Sequence, residues 1–205
     1  MASAGAHWDA VYTTKATDDV SWFQSEPATS LDLLSRWAPP GGSIVDVGAG
    51  TSTLVDRLAD AGSFDVTLVD VSAEALDVVR RRLDDRAGRV SFEVADIRSW
   101  VPTRTFDAWH DRAVFHFLVE PDDQQAYVRL ASTAVAPGGV VVLATFAADG
   151  PATCSGLPTA RYDADDLARL FAPAFVLEHH HREEHVTPWG AVQPFSWVVL
   201  RRAVA

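Results

Sequence analysis

IVDVGAG, residues 44–50, ends an apolar run on an acidic residue and two glycines one residue apart. Such a run followed at once by the amphipathic stretch STLVDRLADAG (52–62) predicts a strand that turns tightly into a helix. The pattern then repeats. DVTLVDVS (65–72) is a second strand, AEALDVVRRRLDDRAG (73–88) a second helix and VSFEVADI (90–97) a third strand. Short Val- and Ile-rich runs alternating with helical stretches mean parallel strands joined by helical crossovers, a doubly wound α/β sheet. TFDAWHD (105–111) continues it as a fourth strand, DDQQAYVRLASTAVAPGG (122–139) as a helix closed by Pro and Gly, and VVVLATF (140–146) as a fifth strand. DADDLARLF (163–171) is a further helix, its acidic start matched to the positive end of the helix dipole.

The ending breaks the alternation. FVLEHHHREEH (175–185) and FSWVVLRR (195–202) are separated by nine residues, too few for a crossover helix, so these strands should pair antiparallel. Residues 1–42 hold Trp8, Tyr12, Trp22, Phe23 and Trp37 ahead of the first strand. They form an N-terminal helical cap within the same domain, as packing on the sheet edge or as a lid over a ligand; residues 43–205 form the domain proper.

Composition narrows the function. The chain has 205 residues, 48% hydrophobic, enough for one compact domain. A formal charge of −11 disfavours nucleic-acid partners. Cys154 is the only cysteine, so no internal disulfide forms and nothing implies an oxidising compartment. No apolar run approaches the roughly 20 residues that span a bilayer, and no secretory leader is visible, so a cytoplasmic protein is expected.

The glycine loop carries the chemistry. Glycines allow close backbone approach to a ligand, and Asp70, 20 residues after Gly50, is spaced to hydrogen-bond ribose hydroxyls. Thr53 stands where a pyrophosphate loop would have its third glycine, and Asp46 precedes Gly48 by two residues. A carboxylate there repels a diphosphate and suits a cationic adenosyl ligand such as S-adenosylmethionine.

These segments resemble the motifs of the class I S-adenosylmethionine-dependent methyltransferases. VDVGAGTS, TLVDVS, EVADI, FDAWHDRAVFHFL and LASTAVAPGGVVVLATF follow in the order of that superfamily's motifs, and the closing hairpin is also typical of it. The resemblance implies a Rossmann-like, seven-stranded, mostly parallel sheet in the order 3-2-1-4-5-7-6 with the last strand antiparallel. It further implies Asp46, Gly48, Ala49 and Gly50 around the methionine part of the cofactor, Asp70 on the ribose, Val71 at the adenine, and Asp96 and Ile97 at the adenine amino group and ring. WDAVYTTKATDDVSWFQ, HDRAVFHFL and DGPATCSGLPTARY are similar to a group of bacterial methyltransferases distantly related to protein-lysine methyltransferases.

Methyl transfer is an in-line displacement in which positioning can contribute about 7–11 kcal/mol, so a base helps without being obligatory. Candidate bases are Asp111 and His116 after the fourth strand and His185 at the end of the sixth. Candidate substrate contacts are Trp22, Arg112, Arg161, Tyr162 and Trp189, with Arg112 or Arg161 able to hold an acid. A small-molecule acceptor leads; a lysine of a protein is the alternative, and the oligomeric state is left open. EHHHREEH (178–185) raises a different chemistry, since His179 and His181 share a strand face and could ligate zinc. Their place along the strand, away from its carboxyl end, argues against a metal, and a non-catalytic cofactor-binding module is the remaining alternative.

Overall fold

The computed structural model describes residues 4–204. Two helices, α1 (Ala4–Thr14) and α2 (Ala28–Trp37), precede the sheet. The core then runs β1 (Ser43–Val47), α3 (Leu54–Ala61), β2 (Asp65–Asp70), α4 (Ala73–Leu83), β3 (Val90–Val94), β4 (Phe106–Arg112), α5 (Pro121–Ala134) and β5 (Val135–Phe146). A two-residue hairpin, β6 (Thr153–Cys154) with β7 (Leu157–Pro158), leads to α6 (Ala164–Phe171), β8 (Phe175–Val186) and β9 (Val192–Arg202). Short 3-10 turns cover Asp84–Arg89 and Phe115–Phe117.

The main sheet has the order β3-β2-β1-β4-β5-β9-β8. With β8 and β9 as sixth and seventh core strands, this is the expected 3-2-1-4-5-7-6. β9 runs antiparallel to both β5 and β8. Ile44, Val45 and Val47 of β1 are fully buried, because helices cover both faces of the parallel strands. One face packs Leu33, Leu34, Leu54, Leu58, Val79 and Trp197; the other packs Trp109, Phe115, Tyr127, Leu167 and Phe171.

Local chemistry sets the element ends. Gly62 closes α3 in the left-handed region (φ 61°), and the Ser72 hydroxyl accepts the Ala75 N–H (3.2 Å) to open α4. Asp163 and Asp166 form a capping box on α6. The sequence extends α5 to Gly139, but the helix stops at Ala134 and Val135 opens β5. Pro137 lacks an N–H and Gly138 sits at φ 79°, so this segment enters the sheet through a register shift against β4. The hairpin β6–β7 was not legible in the sequence.

The N-terminal segment divides. Leu33 and Leu34 on α2 belong to the core, whereas α1 and the strap of residues 15–27 lie across the carboxyl ends of the central strands.

Candidate functional site

Open α/β sheets bind ligands beyond the carboxyl ends of their strands, where strand order reverses. Here that point lies between β1 and β4. Gly48 and Gly50 both take positive φ (62° and 52°), and a side chain at either would overlap Val114 or the Tyr12 hydroxyl respectively. The Gly48 and Ala49 N–H groups donate to the Val69 carbonyl (2.7 and 3.3 Å), tying the loop to β2.

Asp70 organises this end. One carboxylate oxygen accepts the Gly50 N–H (2.7 Å) and the other the Ser72 N–H (2.8 Å), leaving each a lone pair for a hydroxyl group. Burial pushes the carboxyl up to about 6, against these two bonds that favour its charge. Asp46 accepts from His110 Nδ1 (2.7 Å), whose Nε2 meets the Ser30 hydroxyl (2.9 Å); all three side chains are buried. Asp96 is gripped by Arg98 through Nε (3.0 Å) and Nη2 (2.5 Å), which holds its carboxyl below the ordinary range.

Two cavities adjoin. The larger, ≈ 270 Å³, is lined by Gly48, Asp70, Val71, Asp96 and Ile97 on one side and by Trp8, Tyr12, Trp22 and Phe117 on the other. The smaller, ≈ 50 Å³, is lined by Asp46, Gly48, Ala49, Gly50, Ser30 and His110. Trp22, Gly48 and Arg112 line both. All eight residues expected at a cofactor therefore surround one continuous region. The aromatic wall is tightly interlocked: the Trp8 ring meets Trp22 at 5.8 Å and Phe117 at 5.3 Å, both edge-on. Trp8 and Tyr12 stand four apart on α1, on one helix face, which was the readable signal for their joint role. His110 and Ser30 carried no signal, because only the fold brings α2 against β4.

The donor set fits an adenosyl cation. A buried carboxylate with spare lone pairs faces the larger cavity, a second carboxylate faces the smaller, and the loop between them admits close approach at its glycines.

The three candidate bases stand elsewhere. Asp111 is fully buried, accepts the Val114 N–H (2.9 Å), the Phe115 N–H (3.1 Å) and the Tyr127 hydroxyl (2.5 Å), and lines neither cavity. It caps the turn after β4. His116 is also fully buried; desolvation, with Arg112 nearby, lowers its imidazole to about 3. His185 meets the Ser21 carbonyl through Nε2 (2.6 Å) and so fastens the strap. Burial and then Arg112 lower its imidazole as well.

Among the substrate candidates, Trp22 and Arg112 line the cavities and three do not. Arg161 is exposed and reaches the Gly150 carbonyl (3.4 Å). Tyr162 is buried against Phe115 (5.6 Å), and Trp189 is 59% exposed in the β8–β9 turn. These positions differ from the sequence reading: the Tyr162 N–H donates to the Phe146 carbonyl (3.1 Å) and its ring packs inward, and none of the three residues lines either cavity.

The histidine strand is packing. His181 stacks on Trp197 (6.0 Å, 4°), His179 lies against Trp37 (6.3 Å), and Glu183 accepts from Trp197 Nε1 (2.7 Å). Among the described residues no three His, Cys, Asp or Glu side chains group to hold a metal, so the metal-enzyme alternative has no site in them.

Residues 44–139 match the family described as a methyltransferase domain. The chain is 31% identical over 141 residues to trans-aconitate 2-methyltransferase of Sinorhizobium medicae, covering 66% of this chain and 49% of that protein. It is 26% identical over 158 residues to ubiquinone biosynthesis O-methyltransferase of Xanthomonas campestris pv. campestris, covering 76% and 61%. It thus spans about half to three fifths of the length of these curated relatives. Its fold is that of the N-methyltransferase NodS of Bradyrhizobium japonicum WM9, solved with S-adenosyl-L-homocysteine: TM-score 0.73, 17% identity, 96% of this chain and 98% of that one. The matched methyltransferase domain and the shared fold both support the resemblance to the class I S-adenosylmethionine-dependent methyltransferases.

Proposed function

We propose that this protein transfers a methyl group from S-adenosylmethionine to a small-molecule acceptor. The observation that carries the reading is the convergence of Asp46, the Gly48–Gly50 loop, Asp70 and Asp96 on adjoining cavities behind an aromatic wall. The curated relatives, named for a ubiquinone-biosynthesis and a trans-aconitate methyltransferase, support a small acceptor over a protein lysine.

When bound, S-adenosylmethionine supplies an electrophilic methyl group on a sulfonium centre. Asp70 would accept the ribose hydroxyls, and Asp46, oriented by His110, would face the ammonium group. Asp96 and Ile97 would hold the adenine. Trp8, Tyr12 and Trp22 wall the cavity on the side of α1 and the strap and exclude water, which makes this segment a lid in function. None of Asp111, His116 and His185 lines a cavity, so the rate rests on alignment, for which about 7–11 kcal/mol is accessible. Among the described residues no helix is long and apolar enough to cross a membrane. The free, buried thiol of Cys154 suits a reducing, cytoplasmic setting.

Calorimetry with S-adenosylmethionine and S-adenosylhomocysteine against NAD tests the cofactor: heat from the first two and none from NAD is expected, and the reverse sinks the reading. A methyl-transfer screen with labelled cofactor against cell metabolites and cell proteins then locates the acceptor. Label confined to proteins would transfer the assignment to the protein-lysine alternative.

A further inference from the structure

Arg112 ends β4 where the two cavities meet. Its guanidinium lies over the Phe195 ring, 4.9 Å from the centroid, and Nη1 donates to the Trp22 carbonyl (2.9 Å). Nε and Nη2 are buried and have no partner among the described residues. Those two N–H groups form the side-on edge of the guanidinium, the fork that matches the two oxygens of a carboxylate.

Leaving a buried donor unsatisfied costs about 1–3 kcal/mol, more on a charged group, so two on one guanidinium demand an explanation. Both can only donate. The nearest opposing charge, Glu183, is already engaged by Trp197, Gln24 and Thr29. Arg98, the other cation of the larger cavity, is taken up by Asp96. Arg112 is therefore a cation with a free bidentate edge at the place where cofactor and acceptor must meet.

We infer that Arg112 binds a carboxylate group of the methyl acceptor, so that the enzyme acts on organic acids. The inference rests on the methyl-transfer reading of the same site and adds the substrate class. Nη1 is taken up by the strap through the Trp22 carbonyl, which leaves Nε and Nη2 for the acceptor. The cofactor carries a carboxylate of its own, and the test must separate the two.

Wild-type protein saturated with S-adenosylhomocysteine is titrated with benzoate and with benzamide, its neutral counterpart. Benzoate should bind, benzamide about tenfold more weakly or worse, and Arg112→Met and Arg112→Lys should each weaken benzoate about tenfold or more. S-adenosylhomocysteine affinity in both variants should stay within about twofold, and 5′-methylthioadenosine, which lacks the amino-acid half, should bind as in the wild type. Equal binding of benzoate and benzamide, no response to benzoate, or unchanged benzoate affinity in Arg112→Met overturns the inference. So does an about tenfold loss of S-adenosylhomocysteine with 5′-methylthioadenosine unaffected, which would assign Arg112 to the cofactor's carboxylate. If the Arg112 variants do not fold, the wild type decides alone with a second pair, cyclohexanecarboxylate and its amide: the acid should bind about tenfold more tightly, and equal affinities overturn the proposal. Failure of the wild type to bind S-adenosylhomocysteine would instead defeat the methyl-transfer reading itself.

Discussion

The two halves of the sheet meet the same cleft with opposite chemistry. The β1–β2–β3 half presents Asp46, Asp70 and Asp96 at successive strand ends, each acting as an acceptor. The β4–β5–β9–β8 half presents Arg112, a donor, and keeps the neutral rings of His116 and His185 out of both cavities. The first half is local: strand, loop and acid fall within a few residues of one another. The second is assembled across the chain, with Arg112 and His185 fastening the carbonyls of Trp22 and Ser21 from 90 and 164 residues away. On the proposed reading, the acidic half takes the cationic cofactor and the half carrying Arg112 takes an anionic acceptor.

That division can be broken first at Asp70. Asp70→Ala removes the ribose acceptor and frees the Gly50 and Ser72 N–H groups. At about 1.5–3 kcal/mol per hydrogen bond to a charged group, two ribose bonds amount to about 3 kcal/mol or more, so affinity for S-adenosylhomocysteine should fall about 100-fold or more by calorimetry. An unchanged affinity would leave the acidic half without its role.

Asp111 sharpens the other half. Asp111→Ala strands the Tyr127 hydroxyl and two backbone N–H groups in the core, so stability should drop by about 3 kcal/mol or more in a thermal or denaturant melt. Intact stability with lost turnover would restore Asp111 as a base.

The carboxyl of Asp70 sits at about 6, so its ionised form is the majority at pH 7 and the minority at pH 5. Because ribose hydroxyls donate to the ionised form, cofactor affinity should weaken as pH falls through about 6, approaching tenfold per pH unit below it. Asp70→Asn should flatten that profile. A smaller effect belongs to the strap. His185→Ala removes one bond to the Ser21 carbonyl, about 1 kcal/mol, and should speed amide hydrogen exchange over residues 18–24 while leaving the sheet protected. Smallest of all, His179→Ala with His181→Ala should leave S-adenosylhomocysteine affinity within about twofold, since both rings only pack on tryptophans. A large loss would reopen the histidine strand as a site.

Most of the architecture was readable from residues 43–202 because periodicity, turn glycines and the short final connection are local signals. The end of α5 was misread because AVAPGG looks like a helix stop, whereas Val135 and Ala136 already belong to β5. The place of the three acids at successive strand ends was legible for the same local reason. The candidate bases were not: Asp111, His116 and His185 have the right chemistry for catalysis, and only packing shows that one caps a turn, one lies among Phe117 and Phe146, and one clasps a strap.

The sequence by itself determined the strand order's logic, the glycine loop and the three acids, because a strand-loop-helix unit fixes its own ligand-facing end within some thirty residues. Tertiary structure alone decided where the aromatic N-terminus lies, that His110 and Ser30 stand behind Asp46, and that the Arg112 fork is left unpaired. Burial and partner satisfaction are properties of space filled by distant segments, and no local pattern of residue types records which donor the fold leaves free.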